Sequence, residues 1–351
     1  MSGSCCQNNS CGCSEEKGCC EAESLTGAKF QSLSTSLTAK DYFEACKVRW
    51  GIGRMDYKVE PGLYKVNNPD SSSPVLVSAN YKLTFDTLRK NLTGLDCWLL
   101  ILDTKGINVW CAAGEGTFGT DELINRIEQT ALAELLTHRK LILPQLGAPG
   151  VCAHEVTKRT GFSVIYGPVR AMDVKAFIGN GYKTTKEMRS VRFTFYDRLV
   201  LTPMELVEAA KIILPVFGVL FILNLFAKRH FGIYDVIIYM GAKLAGAFIV
   251  PLLLPFIPGK AFSFKGWIMG LCWTAFAFWL FGWYAPGFWL LVVGYGLLLP
   301  ALSSFLAMNF TGASTYTSPS GVLKEMKISL PFIIGSALVG AVLILIKSFI
   351  G

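Results

Sequence analysis

The second half of the chain contains five long apolar stretches, which constrain its fold more than any other feature. Each is long enough to cross a hydrocarbon core about 30 Å thick, which takes roughly 20 helical residues. Between residues 266 and 323 there is no charged side chain. The pattern predicts an all-α transmembrane domain with five helices within residues 201–351, at approximately 206–227, 236–257, 266–284, 287–308 and 330–350.

Charge separates this half from the rest of the chain. Residues 201–351 carry nine Lys or Arg and four Asp or Glu, which leaves 24 of the 33 basic and 21 of the 25 acidic residues in the first 200. The first 200 residues are therefore charged like a soluble domain. This distribution excludes a single globular core, a disordered chain and a purely peripheral protein.

The N-terminus and the loops predict the topology. Residues 1–10 contain no apolar segment of the signal-peptide type. A large charged domain made without a signal is expected in the cytoplasm, so we predict a multi-pass protein of the cytoplasmic (inner) membrane with its N-terminal domain inside. The loop cations agree by a narrow margin, with Lys260, Lys265, Lys324 and Lys327 inside against Lys228, Arg229 and Lys347 outside.

Cysteine is concentrated near the N-terminus. Without secretion, reduced thiols at Cys-Cys and Cys-x-Cys spacings suit a soft ion such as Hg(II), Zn(II) or Cu(I) better than they suit a disulfide framework. The alternative is that these thiols bind no metal. The cysteines and the Ser/Thr-rich residues 21–40 together predict a Cys-rich flexible tail and linker over residues 1–40. The six thiols are Cys5, Cys6, Cys11, Cys13, Cys19 and Cys20.

Residues 41–200 alternate short apolar runs with amphipathic stretches. This order predicts a Rossmann-like α/β domain, with a parallel sheet covered by helices on both faces. Ligands of such sheets bind beyond the carboxyl ends of the strands. Strands are predicted at 75–78, 97–103, 141–143 and 163–166, and helices at 81–92, 120–136 with Thr120 as the cap, 152–160 and 174–178.

The segment after the second of these strands admits two interpretations. Gly114, Gly116 and Gly119 have the spacing of a dinucleotide-binding fingerprint, with Glu134 about 20 residues further on. That interpretation requires a strand at residues 107–110. The other centres on Cys111, whose small neighbours would let a flat ligand approach, although a lone cysteine among apolar residues is usually a buried structural thiol.

A family resemblance bears on this choice. The run Asn108-Val-Trp-Cys-Ala-Ala-Gly114 resembles the signature of the corrinoid proteins of microbial mercury methylation, the HgcA family. That family is similar in its soluble domain to the corrinoid iron–sulfur methyl carriers of the acetyl-CoA pathway. The resemblance runs from about residue 41 to the C-terminus, and its other segments are 49–55, 59–64, 74–80, 167–170, 197–203 and 309–318.

The resemblance implies a corrinoid-binding α/β domain over residues 41–200, followed by the transmembrane domain. The implied cofactor is a cobalamin-type corrinoid, bound base-off, with the Cys111 thiolate as lower axial ligand of cobalt and as the catalytic residue. The residues expected to bind the cofactor are Asn108, Val109, Trp110, Cys111, Ala112, Ala113 and Gly114.

The implied activity is a corrinoid-dependent methyltransferase. It would accept a methyl group on cobalt from a folate-type donor system and transfer it as a carbanion equivalent to Hg(II), giving methylmercury. The implied partner is a ferredoxin-like protein with two iron–sulfur clusters, and the N-terminal thiols could share the hand-over of Hg(II). Residues 201–351 contribute five of the eight net positive charges, so the charge reflects membrane topology and no nucleic-acid partner is expected.

One departure from the family pattern keeps other functions open. The family has a basic residue after the motif glycine, whereas this chain has Glu115. A carboxylate disfavours a nearby thiolate. A membrane-bound corrinoid methyl carrier with another acceptor is therefore the first alternative, and a membrane-tethered dinucleotide-binding oxidoreductase is the second.

Overall fold

The computed structural model describes residues 30–350, except 212, 229, 284–285 and 314–318. The six cysteines of the N-terminal tail lie outside the described residues. The described chain forms two compact units. The first contains the residues up to Leu37 together with Lys58–Arg189, and the second contains Thr38–Tyr57 and Ser190–Gly351.

The first unit is built on a mostly parallel sheet, which confirms the predicted α/β class. Five of the neighbouring strand pairs are described, and all are parallel except β2 with β4. The strands lie in the order β1-β2-β4-β3-β5-β6. Their bounds are β1 Gln31–Leu33, β2 Gly62–Val66, β3 Val75–Ala79, β4 Cys97–Leu102, β5 Lys140–Leu143 and β6 Ser163–Tyr166.

Helices cover both faces of this sheet. Alternate residues of one strand enter opposite cores, as the two-residue period of a strand requires. Leu100 and Leu102 pack with helices α3, α4 and α6 on one face, whereas Leu99 and Ile101 pack with α2 and α7 on the other. The helices of this unit are α2 Lys82–Asn91, α3 Val109–Glu115, α4 Thr120–Gln129, α5 Leu132–Leu135, α6 Ala153–Thr160, α7 Val174–Gly179 and α8 Lys186–Arg189, and α1 Ala39–Arg49 belongs to the second unit.

The predicted helix over residues 120–136 is wrong in two respects. It ends at Gln129, because Ala131 adopts a left-handed φ of 46° and breaks the helical hydrogen bonding before α5. Gly119 holds the cap position in place of Thr120. The Thr120 hydroxyl instead accepts a hydrogen bond from the backbone N–H of Cys152 at 2.9 Å.

Part of the predicted linker over residues 21–40 has regular structure. The edge strand β1 pairs in parallel with β2. The Arg89 guanidinium holds the following residues by donating to the carbonyl oxygens of Ser34 and Ser36, at 2.9 and 3.2 Å. Helix α1 then begins at Ala39, capped by Thr38. A three-residue polar edge strand has no hydrophobic period, so the sequence pattern does not reveal it.

The second unit contains five helical segments long and apolar enough to cross a membrane, as the sequence predicts. A π-helical turn, Ala245–Ile249, joins two of its helices into one segment. The segments are Phe195–Asn224, Ile233–Leu253, Phe262–Phe281, Trp289–Asn309 and Ser320–Ile350. Their helices are α9 Phe195–Lys211, α10 Ile213–Asn224, α11 Ile233–Leu244, α12 Val250–Leu253, α13 Phe262–Phe281, α14 Trp289–Asn309 and α15 Pro319–Ile350.

Four of the five segments begin earlier than predicted, and in the first and third segments the extension includes a buried cation. The first includes Arg198, whose guanidinium donates to the Leu252 carbonyl at 3.1 and 3.2 Å. The third includes Lys265, whose ammonium donates to the Leu254 carbonyl. A cation can lie within an apolar helix when backbone carbonyls replace its water. A pattern that excludes charged residues therefore places the start of the third segment after Lys265, at Gly266.

Candidate functional site

The candidate site lies at the carboxyl end of strands β3 and β4, where a parallel sheet of this kind binds its ligands. Asn80 follows β3 and is buried, with 1% of its surface exposed. Its side-chain oxygen accepts hydrogen bonds from the backbone N–H groups of Thr104 and Gly106, at 3.1 and 2.9 Å. Its amide nitrogen donates to the Asp103 carboxylate at 3.1 Å. One buried amide thus fixes the turn that leaves the neighbouring strand.

This turn has little conformational freedom. Lys105 and Gly106 both adopt left-handed φ values, 56° and 78°, and a non-glycine residue occupies that region at a cost. The Asp103 carboxylate also accepts the Lys105 N–H at 3.0 Å. The backbone N–H of Asp103 donates to Glu122, which forms an ion pair with Arg126 at 2.8 Å. The turn therefore delivers the chain to α3 in one defined direction.

Asn108 caps α3 and contacts the Cys111 thiol. Its side-chain oxygen accepts the Cys111 backbone N–H at 3.0 Å, and its amide nitrogen lies 3.5 Å from Cys111 Sγ. A backbone N–H can only donate, so the side-chain atom facing it must be the oxygen. The amide N–H therefore points at the sulfur. Asn108 is thus the cap of α3, and its predicted contact with the cofactor stays a prediction.

Helix α3 has a buried and an exposed side. Val109, Ala112 and Ala113 are packed in the core beneath it. The remaining members of the predicted motif face outward: Cys111 is exposed, Trp110 keeps 44% of its surface accessible, and Gly114 is exposed. The interpretation of Cys111 as a buried structural thiol is therefore wrong. Glu115 is also exposed and lies one helical turn from Cys111, on the same side.

A close backbone contact supports α3 from the other side. A Cβ atom added to Gly150 would lie 2.1 Å from the Phe118 carbonyl oxygen and 3.0 Å from Ala113 Cα. The loop that carries Gly150 is held by Tyr166, whose hydroxyl donates to the Val151 carbonyl at 2.7 Å. Burial raises the pKa of that hydroxyl, so it stays a neutral donor at physiological pH. The position of α3 thus depends on a direct contact between the backbone at Gly150 and the backbone of Ala113 and Phe118.

The dinucleotide interpretation is wrong. It required a strand at residues 107–110, but α3 begins at Val109. Gly114 lies inside this helix, and Gly116 ends it with a left-handed φ of 86°. Gly119 precedes the next helix, α4. A fingerprint needs its glycines in one turn between a strand and a helix, where backbone amides can face a pyrophosphate, and here a complete helix intervenes.

The described part of the chain places no cluster of metal-binding side chains at Cys111. Among the described residues, no group of three or more His, Cys, Asp or Glu side chains is placed to hold a metal ion. His138 is used structurally, because one ring nitrogen contacts the Ser73 carbonyl at 2.9 Å and the other accepts the Lys140 N–H at 3.2 Å. The predicted soft-metal ligands of the N-terminal tail are outside the described residues.

Asn80 is the residue of this site that sequence reasoning missed. It ends residues 74–80, one of the segments on which the predicted HgcA resemblance rests, and it directly follows an apolar strand. A polar residue at the carboxyl end of an apolar strand is therefore a signal from which Asn80 could have been predicted as a site residue. Its partners are 23 to 26 residues away in the chain, and no local pattern identifies them.

Comparisons with known proteins cover this part of the chain. Residues 52–178 match the family model of the CO dehydrogenase/acetyl-CoA synthase delta subunit. The chain is also similar to gamma subunits of acetyl-CoA decarbonylase/synthase complexes. It is 34% identical to that of Methanocaldococcus jannaschii over 139 residues, and 35% identical to that of Archaeoglobus fulgidus over 127.

These similarities are partial. They include 39% and 36% of this chain, but only 28% and 27% of the two relatives. Asn80 and the whole of α3 lie within the matched region, and the five apolar segments lie outside it. The predicted resemblance to carriers of the acetyl-CoA pathway is thus confirmed in coarse form. The finer resemblance, to the mercury-methylating family, stays a prediction.

Proposed function

We propose that the chain is a membrane-bound, corrinoid-dependent methyl carrier whose Cys111 thiolate is the lower axial ligand of cobalt. The observation that carries this proposal is the position of Cys111. Its sulfur is exposed at the carboxyl edge of the sheet, on a helix fixed by the buried Asn80, and it faces the Asn108 amide. The partial similarity to acetyl-CoA decarbonylase/synthase subunits supports the same class of chemistry.

The residues present suit a large flat cofactor. A Cβ atom added at Gly114 or Gly116 would meet nothing within 4 Å, so a ring can approach the outer side of α3. Trp110 offers an exposed indole beside the thiol. A thiolate is a soft ligand of the kind that cobalt in a corrinoid accepts. In this proposal Val109, Ala112 and Ala113 hold the helix from below, whereas Trp110, Cys111 and Gly114 contact the cofactor.

Asn108 and Glu115 would set the donor strength of the sulfur. The Asn108 amide would donate a hydrogen bond to the sulfur, and Glu115 would place a carboxylate on the same side of the helix. When bound, the corrinoid supplies a cobalt centre that accepts a methyl group and releases it as a carbanion equivalent. The identity of the axial ligand is one of the main means by which a protein tunes such a group. The Asn108 amide fixes the ligand's orientation as well, as residues behind a metal ligand commonly do.

For the methyl acceptor we propose Hg(II), with methylmercury as the product. The support is the motif Asn108–Gly114, which resembles the signature of the mercury-methylating family. The methyl group would come from a folate-type donor system, and electrons from a ferredoxin-like protein with two iron–sulfur clusters. The soluble unit would face the cytoplasm, and the thiols of the tail over residues 1–40 would pass Hg(II) towards it.

A carrier with a different acceptor is the second candidate, and Glu115 is the observation that favours it. Replacing Glu115 by lysine restores the basic residue of the family motif. If Hg(II) is the acceptor, Glu115→Lys should preserve or raise methylmercury formation, because a cation favours the thiolate. Methylmercury is measured in an anaerobic host that carries the ferredoxin-like partner. Wild-type chain that binds the corrinoid but forms no methylmercury would leave the second candidate as the function.

The binding proposal is tested on the full chain in detergent. Anaerobic reconstitution with cobalamin should give the absorption spectrum of a cobalt–thiolate complex, and Cys111→Ala should abolish it. Cys152→Ala is the matched control, because Cys152 is another exposed thiol of the same unit, and its removal should leave the spectrum unchanged. If Cys111→Ala retains the wild-type spectrum, the assignment of the cobalt ligand fails.

A further inference from the structure

The second unit contains an apolar groove that has no role in the proposed function. It lies between helices α13, α14 and α15 and has a volume of about 380 Å³, within the range of roughly 300–1,000 Å³ that small ligands occupy. Its walls include Phe264, Trp267 and Phe332, which are 48%, 44% and 76% exposed. All three helices belong to segments that can cross a membrane, so this apolar groove is open to lipid.

The polar groups of the groove need no partner from a ligand. The hydroxyls of Ser263 and Ser329 bond to each other at 2.8 Å, and the Ser304 hydroxyl donates to the Ser263 carbonyl at 2.8 Å. The Ser336 hydroxyl donates to the Leu297 carbonyl at 2.9 Å. The serines therefore create space between the helices by being small, as small residues do in membrane helix packing. An apolar chain can occupy that space without breaking a hydrogen bond.

Three lysines lie beside one end of the groove. The backbone N–H of Ser263 donates to the Glu325 carboxylate at 2.6 Å, which brings the starts of α13 and α15 together. Lys324 precedes Glu325, Lys327 precedes the groove residue Ile328, and Lys260 precedes the groove residue Ala261. All three lysines are exposed. Within the described part of the chain none forms an ion pair, so this end has an excess of positive charge over Glu325.

We propose that this groove binds an anionic phospholipid, with an acyl chain between α13, α14 and α15. The phosphate of the head group then lies beside Lys260, Lys324 and Lys327. Apolar walls alone would accept any lipid, and the three cations select an anionic one, since each lysine near a membrane surface contributes attraction to anionic lipid. The inference is independent of the cofactor and of the methyl acceptor.

The test measures the lipid retained by the full chain. The chain is purified from mixed anionic and zwitterionic phospholipids, and its bound lipid is identified by native mass spectrometry. We expect retention of one anionic phospholipid. Lys324→Gln with Lys327→Gln should lower the preference for anionic lipid by about 10- to 30-fold, from the typical contribution of a lysine at a membrane surface. Lys347→Gln, near the other end of α15, is the control and should leave the preference unchanged.

A second pair of variants tests the groove itself. Ile333 lines the groove, whereas its neighbour Ile334 faces elsewhere and is 49% exposed. Ile333→Trp should fill the space and reduce retention, and Ile334→Trp should not. Size-exclusion profiles and melting curves verify that the variants are folded. Equal retention of anionic and zwitterionic lipid by the wild type, or equal retention by the two tryptophan variants, would overturn the proposal.

Discussion

Asn80 links the end of β3 to the turn that leads to Cys111, and its removal gives the sharpest test of the site. In Asn80→Ala the backbone N–H groups of Thr104 and Gly106 lose their common acceptor. The Thr104 hydroxyl keeps a partner, because it also lies 2.7 Å from the Ile107 carbonyl. The buried Thr104 N–H also keeps a partner, the Leu102 carbonyl at 3.1 Å. The loss therefore falls on the Gly106 N–H, and the exposed Asp103 carboxylate loses one donor.

The expected magnitude follows from that count. Each buried donor left without a partner costs about 1–3 kcal/mol. Because the Gly106 N–H is only half-buried, we expect the turn to open about 1–2 kcal/mol more easily. Since 1.4 kcal/mol is a factor of ten, amide exchange across residues 103–111 should accelerate roughly 5- to 30-fold. The affinity for cobalamin should fall with it, because Cys111 is then held in place for a smaller fraction of the time.

Hydrogen exchange followed by mass spectrometry measures this directly. Asn125→Ala is the matched control, because Asn125 lies on the exposed side of α4 and its side chain bonds only to Gln129 at 3.1 Å. Exchange in the control should equal that of the wild type. If Asn80→Ala is folded and residues 103–111 exchange at the wild-type rate, Asn80 does not hold the turn, and the argument that connects the sheet edge to Cys111 fails.

Three further predictions concern the same unit. Asn108→Asp keeps a good helix cap but replaces the N–H that faces the sulfur by a carboxylate. Alkylation of Cys111 at pH 8 should therefore slow about fivefold, the equivalent of one modest hydrogen bond, while amide exchange within α3 stays unchanged. A faster alkylation of Cys111 would contradict the role assigned to Asn108. Gly150→Ala places a Cβ atom 2.1 Å from a carbonyl oxygen, so it should destabilise the unit by about 1–3 kcal/mol and weaken cobalamin binding. Gly179→Ala is the control, because a Cβ atom there has nothing within 4 Å, and it should change neither stability nor binding. Similar melting curves for the two variants would refute this prediction. Burial raises the pKa of Cys97 from 9.0 to about 12. Its neutral thiol therefore stabilises the fold below pH 9, and that contribution is lost as the pH rises towards 12. Alkylation of Cys97 at pH 8 without unfolding, detected by peptide mapping, would contradict this prediction.

The sequence predicts the repetitive part of the fold well. Strands β3 to β6 are dense in β-branched and aliphatic residues, and the five apolar segments are long, so a local period suffices to find both. Strand β2 was missed, and it is the one that runs antiparallel to β4. Its partner lies more than 30 residues away in the chain, and nothing in its own five residues specifies the direction of pairing.

The candidate site was predictable only in its centre. The motif around Cys111 is local, and it identifies the thiol without the structure. Its environment depends on longer connections: Asn80 reaches across to the next strand, and Gly150 approaches α3 from a later loop. The helical conformation of Val109–Glu115 was also missed, because a seven-residue helix with two buried alanines has no clear hydrophobic period.

The assignment of Thr38–Tyr57 to the second unit has a consequence for synthesis of the protein. A Cβ atom at Gly51 would lie 3.2 Å from the Met204 sulfur, so this segment packs on a helix made about 150 residues later. At roughly 5–20 residues per second, a ribosome needs about 8–30 s to complete that stretch. The soluble sheet can close in that time, because its strands β1 to β6 are all finished first. During the wait α1 lacks the contacts that it makes with α9 in the final protein, so this short segment is exposed to wrong association.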